Sequence, residues 1–446
     1  MSIIVFVPLF IDFPELTFVE LKTLIVGEKV RAGYLPAAGL VDTTAPLTAW
    51  FYSLTDIVFG KNLFVRHLLG LIVVFVEAIL IGTIFINRKV FGENTYIPSL
   101  LFIILASFSF DSITLSGDLM ASFFLLLGLS HLFRELEFHT QRDENVFMLG
   151  IQLSLATLFA ISYTAFFPGV CLILIIYSRR NLQSILLLLT GFLLPHALLI
   201  CFYFIKGRVA QLVSYYYYGG IFENSISYIS TQSMVCLFLV PVFFLLLAFV
   251  VLSRESRFTK YQSQLVQVMF LWILISIAQV MLANELRPQS LLPIIPCLAF
   301  FITHYFLVFR RKRFAEINFW VFAVGIISTS YLARYNFIEN YISYSPLLVP
   351  SKSIYQGEKI LLLKDDVSVL RNNKLATGFL DWKLSSDIFL HPEYYENVIL
   401  VNGAFEKDSP QIIVDPDNLL SPYLERIPRL KNSYKKEGDK YFLISN

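Results

Sequence analysis

Three carboxylates, Glu20, Asp42 and Asp118, and five cations, Lys22, Lys29, Arg31, Arg208 and Arg287, are the side chains of this sequence best suited to moving a proton or holding an anion. A carboxylate placed beside a nucleophile accepts its proton. A Lys or Arg steadies negative charge as it develops on a leaving group. Each also has a plainer reading. Ser116 or Asp118 can cap the start of a helix. Asp42, followed by Thr43, Thr44 and Pro46, suits an Asx-turn. Glu20 fits the solvated face of an amphipathic helix, and Arg287 stands two residues from Glu285, an available ion-pair partner. Asp111 falls near the end of an apolar run, and an ionisable group at membrane depth is a functional candidate by default. Tyr217 belongs to the run Tyr215–Tyr218, which reads as a headgroup-level anchor or as a stacking platform for a sugar ring. His196 and His304 have no His or carboxylate three or four residues on, so a metal site has little support. No P-loop, dinucleotide fingerprint or nucleophile elbow is present in the sequence.

The elements that must position these groups are set by composition. Of 446 residues, 56% are hydrophobic and 15% charged, with a mean hydropathy of +0.66. Soluble domains carry about 25% charged residues. A soluble enzyme, a disordered chain and a coiled coil are excluded. The formal net charge of +2 also excludes a nucleic-acid binder driven by bulk charge. Charge is unevenly spread: 27 of the last 96 residues are charged, against 41 of the first 350. The chain therefore divides into a polytopic membrane body, 1–335, and a small α/β domain, 336–446. All four Cys fall inside apolar runs, which argues against structural disulfides.

A spanning helix needs about 20 mostly apolar residues. Ten stretches qualify, some with help from their flanks: 66–86, 96–115, 119–133, 146–162, 164–177, 182–205, 233–252, 266–282, 288–309 and 319–333. The half-length apolar segment 2–13 reads as the end of an eleventh. With Met1 on the cytoplasmic side, the short cytoplasmic loops hold thirteen Lys and Arg and the short outer loops three, in accord with the positive-inside rule. That topology places two long segments outside: the loop 12–65 and the tail. The loop is too long for a simple connector. After Pro46, Leu47, Trp50, Phe51, Leu54, Ile57 and Val58 form one apolar stripe on a helix expected to lie flat on the membrane surface. In the tail, 359–363, 398–401, 411–414 and 441–444 read as strands.

Several words in this layout resemble the GT-C class of membrane glycosyltransferases, the protein mannosyltransferases and lipid A aminoarabinose transferases. They are Tyr34-Leu35-Pro36, the Asp42–Leu47 turn, Phe59-Gly60, Phe91-Gly92, Gly117-Asp118 and the segment Arg287–Pro293. The resemblance covers about residues 14 to 310. A branch of bacterial inner-membrane proteins sharing the Glu93-Asn94-Thr95-Tyr96 word is also similar. The resemblance implies a multi-pass protein of the bacterial inner membrane, its C-terminal domain extracytoplasmic, that contacts membrane lipids. It implies transfer of a sugar from a polyprenyl-phosphate donor to an extracytoplasmic acceptor. Glu20 or Asp42 would then be the base, with Asp118 in support. Arg287, Lys22, Arg208 and Tyr217 would bind substrate, and a divalent metal is an alternative way to meet the phosphate's charge. Two departures point to a second reading. The family's early acidic pair is reduced to Glu20, and Thr44 stands where many members have Lys. That reading is a non-catalytic scaffold or lipid-binding component of an envelope, polysaccharide-export or secretion assembly.

Overall fold

The structure, a computed structural model, describes residues 15–138, 143–178, 182–222, 226–254, 258–283, 285–309, 311–337, 345–350 and 356–444. Its contacts divide the chain into two units. One holds Asn62–Gly207 and Glu223–Pro346. The other gathers three pieces distant in sequence: Glu15–Lys61, Arg208–Phe222 and Leu347–Asn446.

The first unit is a helical membrane body. Among the described residues, seven helices are long and apolar enough to cross a bilayer: Leu63–Asn87, Gly117–Glu137, Leu182–Ile205, Thr231–Arg254, Lys260–Met281, Pro288–Leu307 and Arg313–Arg334. Three further stretches read as spans from sequence are shorter helices, Ile97–Ala106, Asp143–Phe159 and the broken run Ile161–Tyr177. Residues 2–13 lie outside the described residues. The 96–115 stretch stops early for a local reason. The Ser107 hydroxyl bonds back to the Ile104 carbonyl at 2.7 Å, and Ser109 then accepts the Asp111 N–H at 3.2 Å, opening a 3-10 turn, Phe110–Ile113. Pro288–Leu307 is the central helix, with 94% of its apolar window buried. Thr231–Arg254 instead leaves Val235, Leu239, Phe243 and Leu246 exposed, a face suited to lipid rather than water. Glycines allow the tightest crossings. A Cβ on Gly150 would lie 2.4 Å from the Leu188 carbonyl oxygen, and one on Gly191 would lie 2.4 Å from that of Phe147. A two-residue parallel pair, β1 (Ile226–Ser227) with β2 (Glu285–Leu286), completes the unit.

In the second unit, helix Phe18–Arg31 starts with a capping box between Thr17 and Glu20. It packs on helix Pro46–Phe59, where Gly27 sits so close to the Tyr52 carbonyl that a Cβ would be 2.8 Å from its oxygen. Arg31 pairs with the buried Asp56 at 3.0 Å. The Pro46 helix is inverted relative to a water-facing one. Thr48, Ser53, Thr55 and Asp56 are buried, while Leu54, Ile57, Val58 and Phe59 are exposed. The C-terminal part carries β3 (Lys359–Leu362), β4 (Lys374–Leu375), β5 (Ile412–Val414), β6 (Tyr434–Glu437) and β7 (Lys440–Leu443). They form one mixed sheet in the order β4-β3-β5-β7-β6, parallel across β4, β3 and β5 and antiparallel across the rest. The stretch 398–401, read from sequence as a strand, lies within helix Tyr395–Lys407. Four consecutive apolar residues do not distinguish helix from strand. Here Val398, Val401 and Phe405 share one buried helical face.

Candidate functional site

In the membrane body, Arg287 is placed by the strand pair before it and the turn after it. The Tyr228 N–H donates to the Leu286 carbonyl at 3.3 Å, and Pro288 then opens a 3-10 segment, Pro288–Ile294. Arg287 Nη2 donates to Asp118 Oδ2 at 2.8 Å, and Nη1 to Asp111 Oδ1 at 3.4 Å. The other Asp111 oxygen accepts the Gln289 N–H at 3.0 Å. The Gln289 amide ties the same turn together. Its nitrogen donates to the Thr114 carbonyl at 2.8 Å, and its oxygen accepts the Ser116 hydroxyl at 2.6 Å. Ser116 also accepts the Leu119 N–H at 3.3 Å. The serine therefore caps helix Gly117–Phe138, and the Asp118 carboxylate goes to Arg287. The Tyr163 hydroxyl donates to the Asp118 carbonyl at 3.1 Å. Arg287, Asp111 and Gln289 are buried, whereas the Asp118 side chain keeps 15% of its surface exposed. Two carboxylates face one guanidinium, and one of them, Asp118, lies at the cluster's edge.

In the second unit, Lys22 Nζ pairs with Asp42 Oδ1 at 2.9 Å. Asp42 Oδ2 accepts the Thr44 N–H at 3.2 Å and the Thr44 hydroxyl, so the Asx-turn is present and coexists with the ion pair. The Asp42 turn is held against the C-terminal part by backbone hydrogen bonds and by Val41, which is buried among Leu361, Leu363 and Phe379. The Val41 N–H donates to the Gly378 carbonyl at 2.8 Å, and the Asp381 N–H donates to that of Val41 at 3.1 Å. Only glycine fits at 378, because a Cβ there would lie 2.1 Å from the Gly39 carbonyl oxygen. This bridge brings Asp381 into the electrostatic field of both Lys22 and Asp42. Burial pushes the Asp381 carboxyl above its ordinary value; Lys22 opposes the shift and Asp42 adds to it. Asp381 also caps helix Trp382–Leu390, accepting the Lys383 N–H at 3.0 Å.

The remaining sequence candidates divide. Glu20 is buried, not solvated, and its Oε2 accepts the Thr17 N–H at 3.0 Å and the Thr17 hydroxyl at 2.9 Å. Arg208 is exposed at the start of the short helix Val209–Leu212. A π-turn, Val213–Tyr218, follows, a geometry frequent at functional sites. It packs near the Asp42 turn, since a Cβ on Gly219 would lie 3.6 Å from Thr43 Cγ2 and 3.3 Å from Leu384 Cδ2. Tyr217 is half-buried against Tyr216, with ring centroids 4.7 Å apart, and burial pushes its phenol up to about 12. Among the described residues no group of three or more His, Cys, Asp or Glu side chains is placed to hold a metal. Gln289 and Asp381 were not singled out from the sequence. Gln289 sits inside the Arg287–Pro293 word, where a lone amide at the head of an apolar helix was the available signal. Asp381 carried only the signal of a helix cap.

The fold resembles that of the GT-C membrane glycosyltransferases. The chain is similar to ArnT from Cupriavidus metallidurans bound to undecaprenyl phosphate, with a TM-score of 0.58 and 10% identity over 99% of this chain and 95% of that one. The apo form of the same enzyme gives 0.55 and 11% identity, over 96% and 93%. Archaeal oligosaccharyltransferase AglB from Archaeoglobus fulgidus, in complex with an inhibitory peptide and a dolichol-phosphate, gives 0.50 and 10% identity, over 100% and 73%. No protein-family model and no curated protein matches the sequence. At such identities the likeness shows the fold.

Proposed function

We propose that the protein transfers a sugar from a polyprenyl-phosphate donor to an acceptor on the extracytoplasmic side of a bacterial inner membrane. The observation that carries this reading is the fold shared over 99% of the chain with an enzyme whose structure holds undecaprenyl phosphate. In the reaction, the acceptor's oxygen or nitrogen bonds to the sugar's anomeric carbon. The bond from that carbon to phosphate breaks, polyprenyl phosphate leaves, and the acceptor's proton goes to a carboxylate. Of the three candidate acids, Glu20 is committed to its capping box and Asp42 is 1% exposed. Asp118 keeps an open edge, and we assign it the proton. Arg287 orients it through the Nη2–Oδ2 contact, while Lys22 pairs with Asp42.

Both Asp42 and Asp118 are already ion-paired, which favours a second reading, a lipid-binding relative without turnover. Purified protein incubated with a short-chain polyprenyl-phosphate sugar separates the two. Release of polyprenyl phosphate that is lost in Asp118→Asn, with Glu20→Gln retaining turnover if it folds, supports transfer. Donor binding without release in wild type and all variants assigns the second reading. Absence of donor binding removes both.

A further inference from the structure

The membrane body also contains a recess, well away from the Arg287 cluster. Gly70 of helix Leu63–Asn87 packs against the Ile113 carbonyl, beside the Asp111 turn. Fifteen residues later, about 22 Å along the helix at 1.5 Å per residue, Phe85 meets Phe91 with ring centroids 5.7 Å apart. There a cavity of about 240 Å³ opens between Phe91, Glu93, Phe258, His304, Leu307 and Val308. The imidazole of His304 is held among the rings of Phe91, Phe300 and Phe258, at 4.8, 4.9 and 5.4 Å between centroids. His304 is 6% exposed, yet its Nε2 has no hydrogen-bond partner among the described residues. A buried polar atom left unpaired calls for an explanation. Glu93 is exposed, and it is the one charged side chain among the described residues lining the cavity.

We propose that this cavity binds a primary ammonium group. The Glu93 carboxylate supplies the counter-charge, and the faces of Phe91 and Phe258 suit a cation. A neutral imidazole offers one acceptor nitrogen to an N–H donor. An anionic headgroup would meet Glu93 with no lining cation to offset it. Leu307 and the exposed Val308 form an apolar lip, which an acyl chain could follow. The chemistry fits both an ethanolamine-headed lipid and a free amine. It does not depend on the sugar-transfer reading, and a failed transferase assay leaves it standing.

The test uses the full chain in detergent. Ethanolamine is titrated by calorimetry, and phosphatidylethanolamine and phosphatidylglycerol are compared by native mass spectrometry, with wild type, Glu93→Gln and Phe258→Leu. Binding of either amine, with phosphatidylglycerol not retained and affinity reduced about tenfold or more in Glu93→Gln, is the expected result. Retention of the lipid alone identifies a headgroup site, and retention of ethanolamine identifies a site for soluble amines. No binding of either amine, equal retention of phosphatidylglycerol, or unchanged affinity in Glu93→Gln overturns the proposal. Glu93 is exposed, so its variant tests the site without removing a core contact.

Discussion

Replacing Asp408 with Asn should loosen the second unit at one identifiable junction. Lys29, in helix Phe18–Arg31, is only 5% exposed, and its ammonium sits 2.7 Å from Asp408 Oδ2. The other oxygen of Asp408 accepts Lys359, at the start of β3, also at 2.7 Å. Tyr34 lies under the same charges, with Lys29 Nζ 4.8 Å and Lys407 Nζ 3.6 Å from its ring centroid. Removing one partner of a fully buried ion pair costs about 3–5 kcal/mol. Here the Asp408 side chain is 15% exposed and that of Lys359 47%, so screening lowers the expected cost to about 2 kcal/mol. That corresponds to about a thirtyfold change in an opening equilibrium. Amide hydrogen exchange across 18–31 and β3 reads it directly, as a thirtyfold faster rate where exchange follows local opening. The pH dependence supplies a second check. Burial alone would raise the Asp408 carboxyl, but Lys29 and Lys359 overcome it and hold it below its ordinary value. A carboxylate depressed in the folded state contributes stability above its unfolded value, about 3.9. That contribution is lost as pH falls through the lower folded value. The gap between wild type and variant should close on acidification. It should also narrow at alkaline pH. Burial already lowers the Lys29 ammonium, with Asp408 opposing, and without Asp408 the amine sheds its proton more easily. Protection unchanged by the substitution at neutral pH, or a gap independent of pH, would refute the reasoning.

Three further outcomes are expected. Arg287→Lys supplies a point charge in place of a fork that reaches both Asp111 and Asp118, and should lower thermal stability by about 3 kcal/mol, read with a thiol-reactive dye on the free cysteines. Stability equal to wild type would show that the guanidinium is not clamped between the two acids. Ser122→Ala removes the hydroxyl that donates to the fully buried Glu77 at 2.5 Å and should cost about 1–3 kcal/mol in the same assay, with Ser122→Thr restoring most of it. Gly378→Ala cannot be accommodated without moving the Gly39 backbone, so it should increase exchange at Val41 and Asp381 together; an effect at one amide without the other would separate the two segments.

The parts of this molecule that could be read from sequence share a physical property: each is a local pattern. Apolar runs of about 20 residues announced the seven long helices, and the stripe from Leu47 to Val58 announced the helix that carries it. Where a single polar side chain decided a helix end, as at Ser107 and Ser109, the same hydropathy overran the true boundary. What the patterns did not contain was partnership at long range. Arg287 had a near neighbour in Glu285, yet the guanidinium pairs with Asp111 and Asp118, 176 and 169 positions away. Glu20 reads as solvated on the polar face of an amphipathic helix, and Thr17, one turn earlier, meets it as half of a capping box. Thr17 and Glu20 stand at the spacing that predicts this box. Asp381 acquired meaning only because Gly378 lets one backbone approach another, and a missing Cβ leaves no hydrophobic or charge signature in a sequence. The candidate site was therefore visible as a set of residue types and hidden as a set of pairs. Pairing also changes the chemistry inferred for each group. Arg287, a phosphate ligand on charge alone, is found paired with Asp111 and Asp118, and Asp118, a helix cap on position alone, keeps an exposed edge while Ser116 does the capping.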